Sequence, residues 1–294
     1  MKRHVFNKPW EAYLFLLPWL VGLLSFTIIP IIMSLYFSFT RYDMANSPLW
    51  IGMGNYMTMY KDPRVWKSIS VTFRYVLLGI PFQLSFALFL AVILKKQRAG
   101  VRIYRAVYYL PSLFGGSVAV ALLWRQIFNK EGIINRLLSL LSIEGKNWIA
   151  SPDTALYTLI LLSIWQFGSS MVIFLGGLQQ IPQDLYEAGS IDGAGKVRLF
   201  FTITLPLLTP MVFFNLIMTI INAFQAFTPS YIISGGTGSP VDSTLFYTLY
   251  LYINGFKQFK MGYASAMAWV LLVIIAAVTG VMFGIGKKWV YYDD

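Results

Sequence analysis

Long apolar runs separated by short polar segments dominate this chain. About 20 apolar residues are needed to cross a bilayer as a helix. Six stretches qualify, at roughly 12–39, 69–94, 106–128, 154–178, 207–229 and 262–286. The runs are continuous rather than alternating. That favours helices over a barrel, because backbone polar groups in lipid must be bonded within the span or around a closed sheet. Pro18, Pro30, Pro81 and Pro111 fall inside the runs and predict kinks or helix ends. The first run follows Lys2, Arg3 and Lys8, as a secretory signal would. It is too long for one and has no small-residue cleavage site, so it reads as a retained membrane helix.

The polar segments set the orientation. Residues 95–106 hold Lys95, Lys96, Arg98, Arg102 and Arg105 and no acid. Cytoplasmic loops are enriched in Lys and Arg, so this connection is expected inside, with both termini and the loop 179–206. Three connections then lie outside. Residues 40–68 carry the turn signals Pro48, Gly52, Gly54 and Pro63. In 129–153, Ile133, Ile134, Leu137, Leu138 and Leu141 have the spacing of a short amphipathic helix on the outer face. The third, 230–261, opens with SGGTGSP, expected to be a flexible turn, before an aromatic segment. No long linker, low-complexity tract or repeat interrupts residues 1–294, which read as a single transmembrane domain.

Composition narrows the function. The chain is 57% hydrophobic and 17% aromatic, with 12% charged residues, about half the share of a soluble domain. The net charge of +11 is spread through short loops, which fits topology control and not nucleic-acid binding. With no cysteine, disulfides, thiolate metal sites and cysteine nucleophiles are excluded.

The segment 181–206 reads as a rigid handle. Pro182 suits a first helical turn, and Asp184 complements the helix dipole. Gly193 permits a sharp turn. A second short helix follows, with Val197, Phe200, Phe201 and Thr204 on one face, and Pro206 and Pro210 open the next span. A partner with a groove could push on such a helix pair. Within it, SIDGAGKV (190–197) imitates a phosphate-binding loop. That motif needs a leading Gly and a Ser or Thr after the Lys, where this chain has Ser190 and Val197. Nucleotide is not expected to bind here.

The stretch EAGSIDGAGKVRLFFTITLPLLTP (187–210) closely resembles the "EAA" cytoplasmic loop of bacterial ABC importer permeases, in Glu187, Ala188, Asp192, Gly193, Ala194, Ile203, Leu205 and Pro206. Gly189 stands where that family usually has Ala, which predicts a softer first helix. Further segments, WIGMGNY (50–56), RAVYYLPSLFGGSVAVALLW (105–124), EGIINRLL (131–138) and MGYASAMAWVL (261–271), resemble the maltose and glycerol-phosphate class of carbohydrate permeases. The resemblance covers nearly the whole chain. It implies an all-α polytopic protein of six transmembrane helices with the type I importer, MetI-like fold, in the bacterial cytoplasmic membrane. It further implies a heterodimer with a second, similar permease, two ATP-binding subunits that hold the ATP and Mg, and an extracytoplasmic solute-binding protein. This chain would carry no cofactor, metal or catalytic residue. Glu187, Ala188, Gly189, Asp192, Gly193 and Ala194 would couple it to the ATPase. Glu187 would meet a basic residue there, and Gly193 would form the bend.

Polar side chains in lipid are costly unless they face a partner or a cavity. In span five, Asn215, Thr219, Asn222 and Gln225 fall within about 100° of one another on a helical projection. Span four adds Ser163, Gln166, Ser169 and Ser170. Amides beside aromatic rings suit a sugar or oligosaccharide, and the same residue types also glue helices together. Gln166, Ser169, Asn215, Thr219, Asn222 and Gln225 are the candidate solute path, with Gln166 and Asn222 favoured by the family's site between the helices flanking the loop. Arg74, near the outer end of span two, could meet an anionic solute or snorkel to the interface. Rival functions fare worse. An ion-coupled transporter would want an intramembrane acid or His, yet the spans hold no Asp or Glu and the one His is His4. A permease for polyamine would be expected to offer acids, whereas amino acid or peptide import is harder to set aside.

Overall fold

The structure, a computed structural model, describes residues 9–96 and 100–291. Lys2, Arg3, His4, Lys8 and Arg98, used in the expectations above, lie outside the described residues. The helices are α1 (Pro9–Leu23), α2 (Ile29–Ser38), α3 (Gly54–Lys61), α4 (Pro63–Leu94), α5 (Val101–Phe114), α6 (Val118–Phe128), α7 (Ile133–Leu140), α8 (Ala155–Trp165), α9 (Gly168–Gln180), α10 (Gln183–Ile191), α11 (Lys196–Leu199), α12 (Leu205–Phe224), α13 (Thr228–Ile233), α14 (Tyr247–Tyr252) and α15 (Met261–Gly286). Two short strands, β1 (Thr40–Arg41) and β2 (Leu49–Trp50), pair antiparallel. Among the described residues, five helical runs are long and apolar enough to cross a membrane: Tyr13–Ser38, Pro63–Leu94, Ala155–Gln180, Lys196–Ile233 and Met261–Gly286. A sixth span arises only if α5 and the run Val118–Leu140, which meet at a 98° bend, count together. The single helix expected over 106–128 is therefore two helices.

The chain divides into two compact units. One contains the described residues up to Asp62 together with Asn254–Val270. Here α1 and α2 are joined by a π-helical turn, Leu24–Ile28, and Pro30 opens the helix that follows. Proline lacks an N–H and crowds the turn before it, and a wide turn is one way to accommodate that without breaking the span. The turn from β1 to β2 is fixed by Asp43, whose carboxylate accepts from the backbone N–H of Ala45 and Asn46 and from the Asn46 amide. The bond from the Asn46 side chain is the chief cause that holds the Asp43 carboxyl below its ordinary range. Asn55 closes the unit's interior, donating 2.8 and 2.9 Å bonds to the carbonyls of Ser38 and Thr40.

The other unit comprises Pro63–Ile253 and Leu271–Asp294 as far as described, and α4 is its axis. Its buried positions, Val65, Ser68, Thr72, Val76, Ile80, Leu84, Ala87 and Leu94 among them, recur three or four residues apart. That stripe packs on α8, α9, α12 and α14. Pro81 does not interrupt the helix, a tolerance common in membrane helices. α7 forms where the spacing predicted it. Its apolar Ile133, Leu137 and Leu141 are exposed, and the buried member is Asn135, bonded to the carbonyl of Lys146 and to the Trp148 indole.

The segment expected to be a flexible turn, 234–240, is instead tied down. Ser234 Oγ accepts from the Gly238 N–H, Thr244 Oγ1 donates to the Ser239 carbonyl, and Ser230 Oγ donates to the Thr244 carbonyl. Arg64 at the start of α4 forks onto Asp242, with contacts of 2.7 and 3.0 Å. Leu245 and Phe246 behind it are fully buried.

Candidate functional site

Two helix breaks meet at one place in the second unit. α8 ends at Trp165 and α9 begins at Gly168, which leaves the Gln166 carbonyl without a helical partner. Ser112 Oγ donates to that carbonyl at 2.9 Å and Gln83 Nε2 reaches it at 3.4 Å. The Gln166 amide in turn donates to the Gly115 carbonyl at 2.8 Å. Gly115 lies in the break between α5 and α6, where Ser117 caps α6 by accepting from the Val120 N–H. A Cβ on Gly115 would overlap the Gln166 side chain. Each break thus supplies the bonds the other lacks.

A cleft of about 560 Å³ opens beside this junction. Of the six solute-path candidates, Gln166, Ser169, Asn215, Thr219 and Asn222 line it. They differ in availability. Asn215 is 2% exposed and donates to the Met211 carbonyl, so it also holds its own helix. The side chains of Thr219 and Asn222 make no hydrogen bond among the described residues, and Asn222 is exposed to the cleft. Gln225 does not line it. α12 ends at Phe224, and Gln225 is the residue just past that end, so the helical face that would have carried it stops one residue short.

Tyr75 and Gln83 of α4, Ser112 of α5 and Phe227 also line the cleft, and none was singled out from the sequence. Gln83 carries a readable signal, an amide in the middle of an apolar run. Arg74 is exposed and stands outside the lining, and no charged side chain belongs to that lining. Arg125, within α6, lines a separate cleft of about 1020 Å³ with Gln126, Asn147, Ser234 and Ser239.

The handle occupies another part of the same unit. α10 starts after Pro182 with Asp184 in its first turn. The chain reverses through Gly193 at φ +77°, a left-handed conformation that favours glycine. The Ala194 N–H donates to the Gly189 carbonyl across the turn. The second helix is shorter than expected and is not separate from the span. α11 passes through a π-helical turn, Phe200–Thr204, directly into α12. Of the four residues expected on one face, Val197 and Phe201 are exposed, Phe200 is half-buried and Thr204 is buried, because the wide turn changes the register midway.

Glu187, Ala188, Asp192 and Gly193 are exposed, and Gly189 and Ala194 are half-buried. Glu187 makes no hydrogen bond or ion pair among the described residues and borders an open cleft of about 980 Å³ with Lys95, Gln179, Tyr186 and Ile191. Gly189 faces the second helix. A Cβ there would come within 2.6 Å of the Leu199 Cδ2 methyl and 3.3 Å of the Ile203 Cδ1 methyl. The missing methyl therefore also leaves room for Leu199.

Residues 50–290 match the family described as binding-protein-dependent transport system inner membrane component. A probable ABC transporter permease, YesP of Bacillus subtilis, is 54% identical over 285 residues, covering 96% of this chain and 92% of that protein. The arabinooligosaccharides transport system permease AraP of Bacillus subtilis is 33% identical over 93% of this chain and 88% of its own. One chain of a bacterial alginate ABC transporter, solved with an alginate pentasaccharide-bound periplasmic protein, shares the fold. Its TM-score is 0.82 at 19% identity, over 95% of this chain and 94% of that one.

Proposed function

This chain belongs to the family of binding-protein-dependent transport inner membrane components, and from that premise we propose that it is one permease half of an importer for a sugar or oligosaccharide. The observation that carries the proposal is the pairing of an exposed, unpartnered Glu187 on α10 with a cleft walled by α9 and α12, the helices on either side of that loop. Force applied to α10 reaches the cleft walls through short, rigid connections.

In this reading the loop 179–206 and both termini face the cytoplasm. ATP and Mg bind two partner ATPase chains, whose grooves receive α10 here and its counterpart on a second, homologous permease. Closure of the ATPases draws the two loops together, and α9 and α12 swing to open the cleft outward. Solute then enters from an extracytoplasmic binding protein. Such a cycle requires different solute affinity in the two states. The apolar faces of the runs Tyr13–Ser38 and Met261–Gly286, whose most apolar windows contain no buried residue, would meet lipid and the second permease.

A saccharide suits the cleft because amides from Gln83, Gln166 and Asn222 and hydroxyls from Ser169 and Thr219 can bond its hydroxyls, while Tyr75 and Phe227 offer ring faces. The relative named for arabinooligosaccharides supports this class. No acid lines the cleft, which disfavours a polyamine. To test the proposal, the complete complex is purified in lipid nanodiscs and its ATPase rate measured with binding protein loaded with oligosaccharides, amino acids or peptides. Stimulation by a saccharide-loaded protein is expected. Stimulation only by amino acid or peptide would replace the sugar reading.

A further inference from the structure

Tyr186, the residue before Glu187, turns away from the exposed face of α10. Its hydroxyl lies 2.9 Å from Thr204 Oγ1. Lys95 Nζ donates to the same hydroxyl at 3.3 Å and sits 4.4 Å from the centre of the ring. An ammonium can only donate, so the phenol oxygen accepts from Lys95 and its own proton is left for Thr204. Thr204 is 5% exposed and ends the π-helical turn at the foot of α12. Lys95 follows Leu94, the last residue of α4, and the Leu94 carbonyl is held by two bonds from Arg105 of α5, at 2.6 and 3.2 Å. One phenol thus joins α10 to the feet of α4 and α12, and through Leu94 and Arg105 to α5. These three helices supply Gln83, Ser112 and Asn222 to the cleft.

We propose that Tyr186 is the positioning residue that converts movement of α10 into movement of the cleft walls. The inference rests on the reading of α10 as the ATPase-docking element. Without the hydroxyl, α10 keeps its chain connections at Ile181–Pro182 and Asp192–Gly195 and its packing against Leu199. It then loses its hydrogen bonds to Lys95 and Thr204 and keeps only the contact of the Lys95 ammonium with the ring, so α4 and α12 follow it less closely.

The variant Tyr186→Phe keeps the ring and removes only the bonds. In proteoliposomes containing the full complex, ATPase subunits are expected to co-purify with this chain in unchanged proportion. Binding-protein-stimulated ATP hydrolysis should persist. Solute imported per ATP hydrolysed should fall at least roughly fivefold, the scale of a single lost polar link, since two bonds are removed. Lys95→Met should also lower it, and Tyr186→Phe with Lys95→Met should fall well short of the product of the two effects, because both cut the bond between Lys95 and Tyr186. An unchanged solute-to-ATP ratio in Tyr186→Phe, or effects that simply multiply, overturns the proposal. So does loss of the ATPase subunits from Tyr186→Phe, which would make the residue part of docking. Failure of the unmodified chain to hold ATPase subunits through α10 would instead remove the underlying reading of the loop.

Discussion

Asn222 and Asn215 sit two turns apart on α12 and look alike in the sequence, yet the structure separates them. Asn215 is enclosed and bonded to the turn before it, whereas Asn222 is exposed to the cleft with a free amide. A free amide can exchange water for a solute hydroxyl, and such a bond contributes about 0.5–1.5 kcal/mol. Asn222→Ala is therefore expected to raise the solute concentration for half-maximal import up to about tenfold, with ATPase subunits retained. Unchanged uptake kinetics would remove Asn222 from the solute path. The polar stripe that brought Asn222 forward was legible because it follows a single helix. Tyr75 and Ser112 were not, since they come to the cleft from other helices and each is a single ordinary position in its run, whereas Gln83 carried the signal of an amide in an apolar run without showing where it pointed. Gly189 teaches a related lesson. Its propensity cost was readable, but the Leu199 methyl that occupies the space beside it was not.

At the scale of elements, the sequence identified the apolar runs well and their interruptions poorly. The run 106–128 contains Pro111, Gly115 and Gly116, each tolerated in a continuous membrane helix. The break is answered by Gln166, 51 residues further on, whose amide bonds the Gly115 carbonyl and whose side chain occupies the space a Cβ at position 115 would take. Gly115→Ala should consequently lower stability by about 1–3 kcal/mol, the usual cost of overpacking, seen as a lower thermal midpoint in detergent. Adding Gln166→Ala should recover part of that loss. If the double variant is no more stable than Gly115→Ala, the two breaks are not interlocked. The segment 234–246 shows the same limitation in reverse. Its glycines suggest flexibility, while the Arg64–Asp242 fork and the Ser230–Thr244 bond that restrain it bridge 178 and 14 residues.

For the molecule as a part of the proposed importer, the position that tests the coupling reading is Glu187. It is exposed and unpartnered among the described residues, so Glu187→Lys should leave the isolated chain within about 0.5 kcal/mol of its original stability. The reversed charge should reduce import at least about tenfold, by placing like charges in a docking groove. Normal import by Glu187→Lys complexes would refute the coupling role. The π-helical turn at Phe200–Thr204 adds a constraint of another kind. Each residue in an α-helix advances the azimuth by about 100°, and a wide turn takes up one residue more than an ordinary one. The turn thus sets the angular offset between α11 and the cleft face of α12. Its composition is fixed at Thr204, which meets the Tyr186 hydroxyl, and its wide form absorbs a residue that an ordinary turn would spend as about 100° of rotation between α11 and α12.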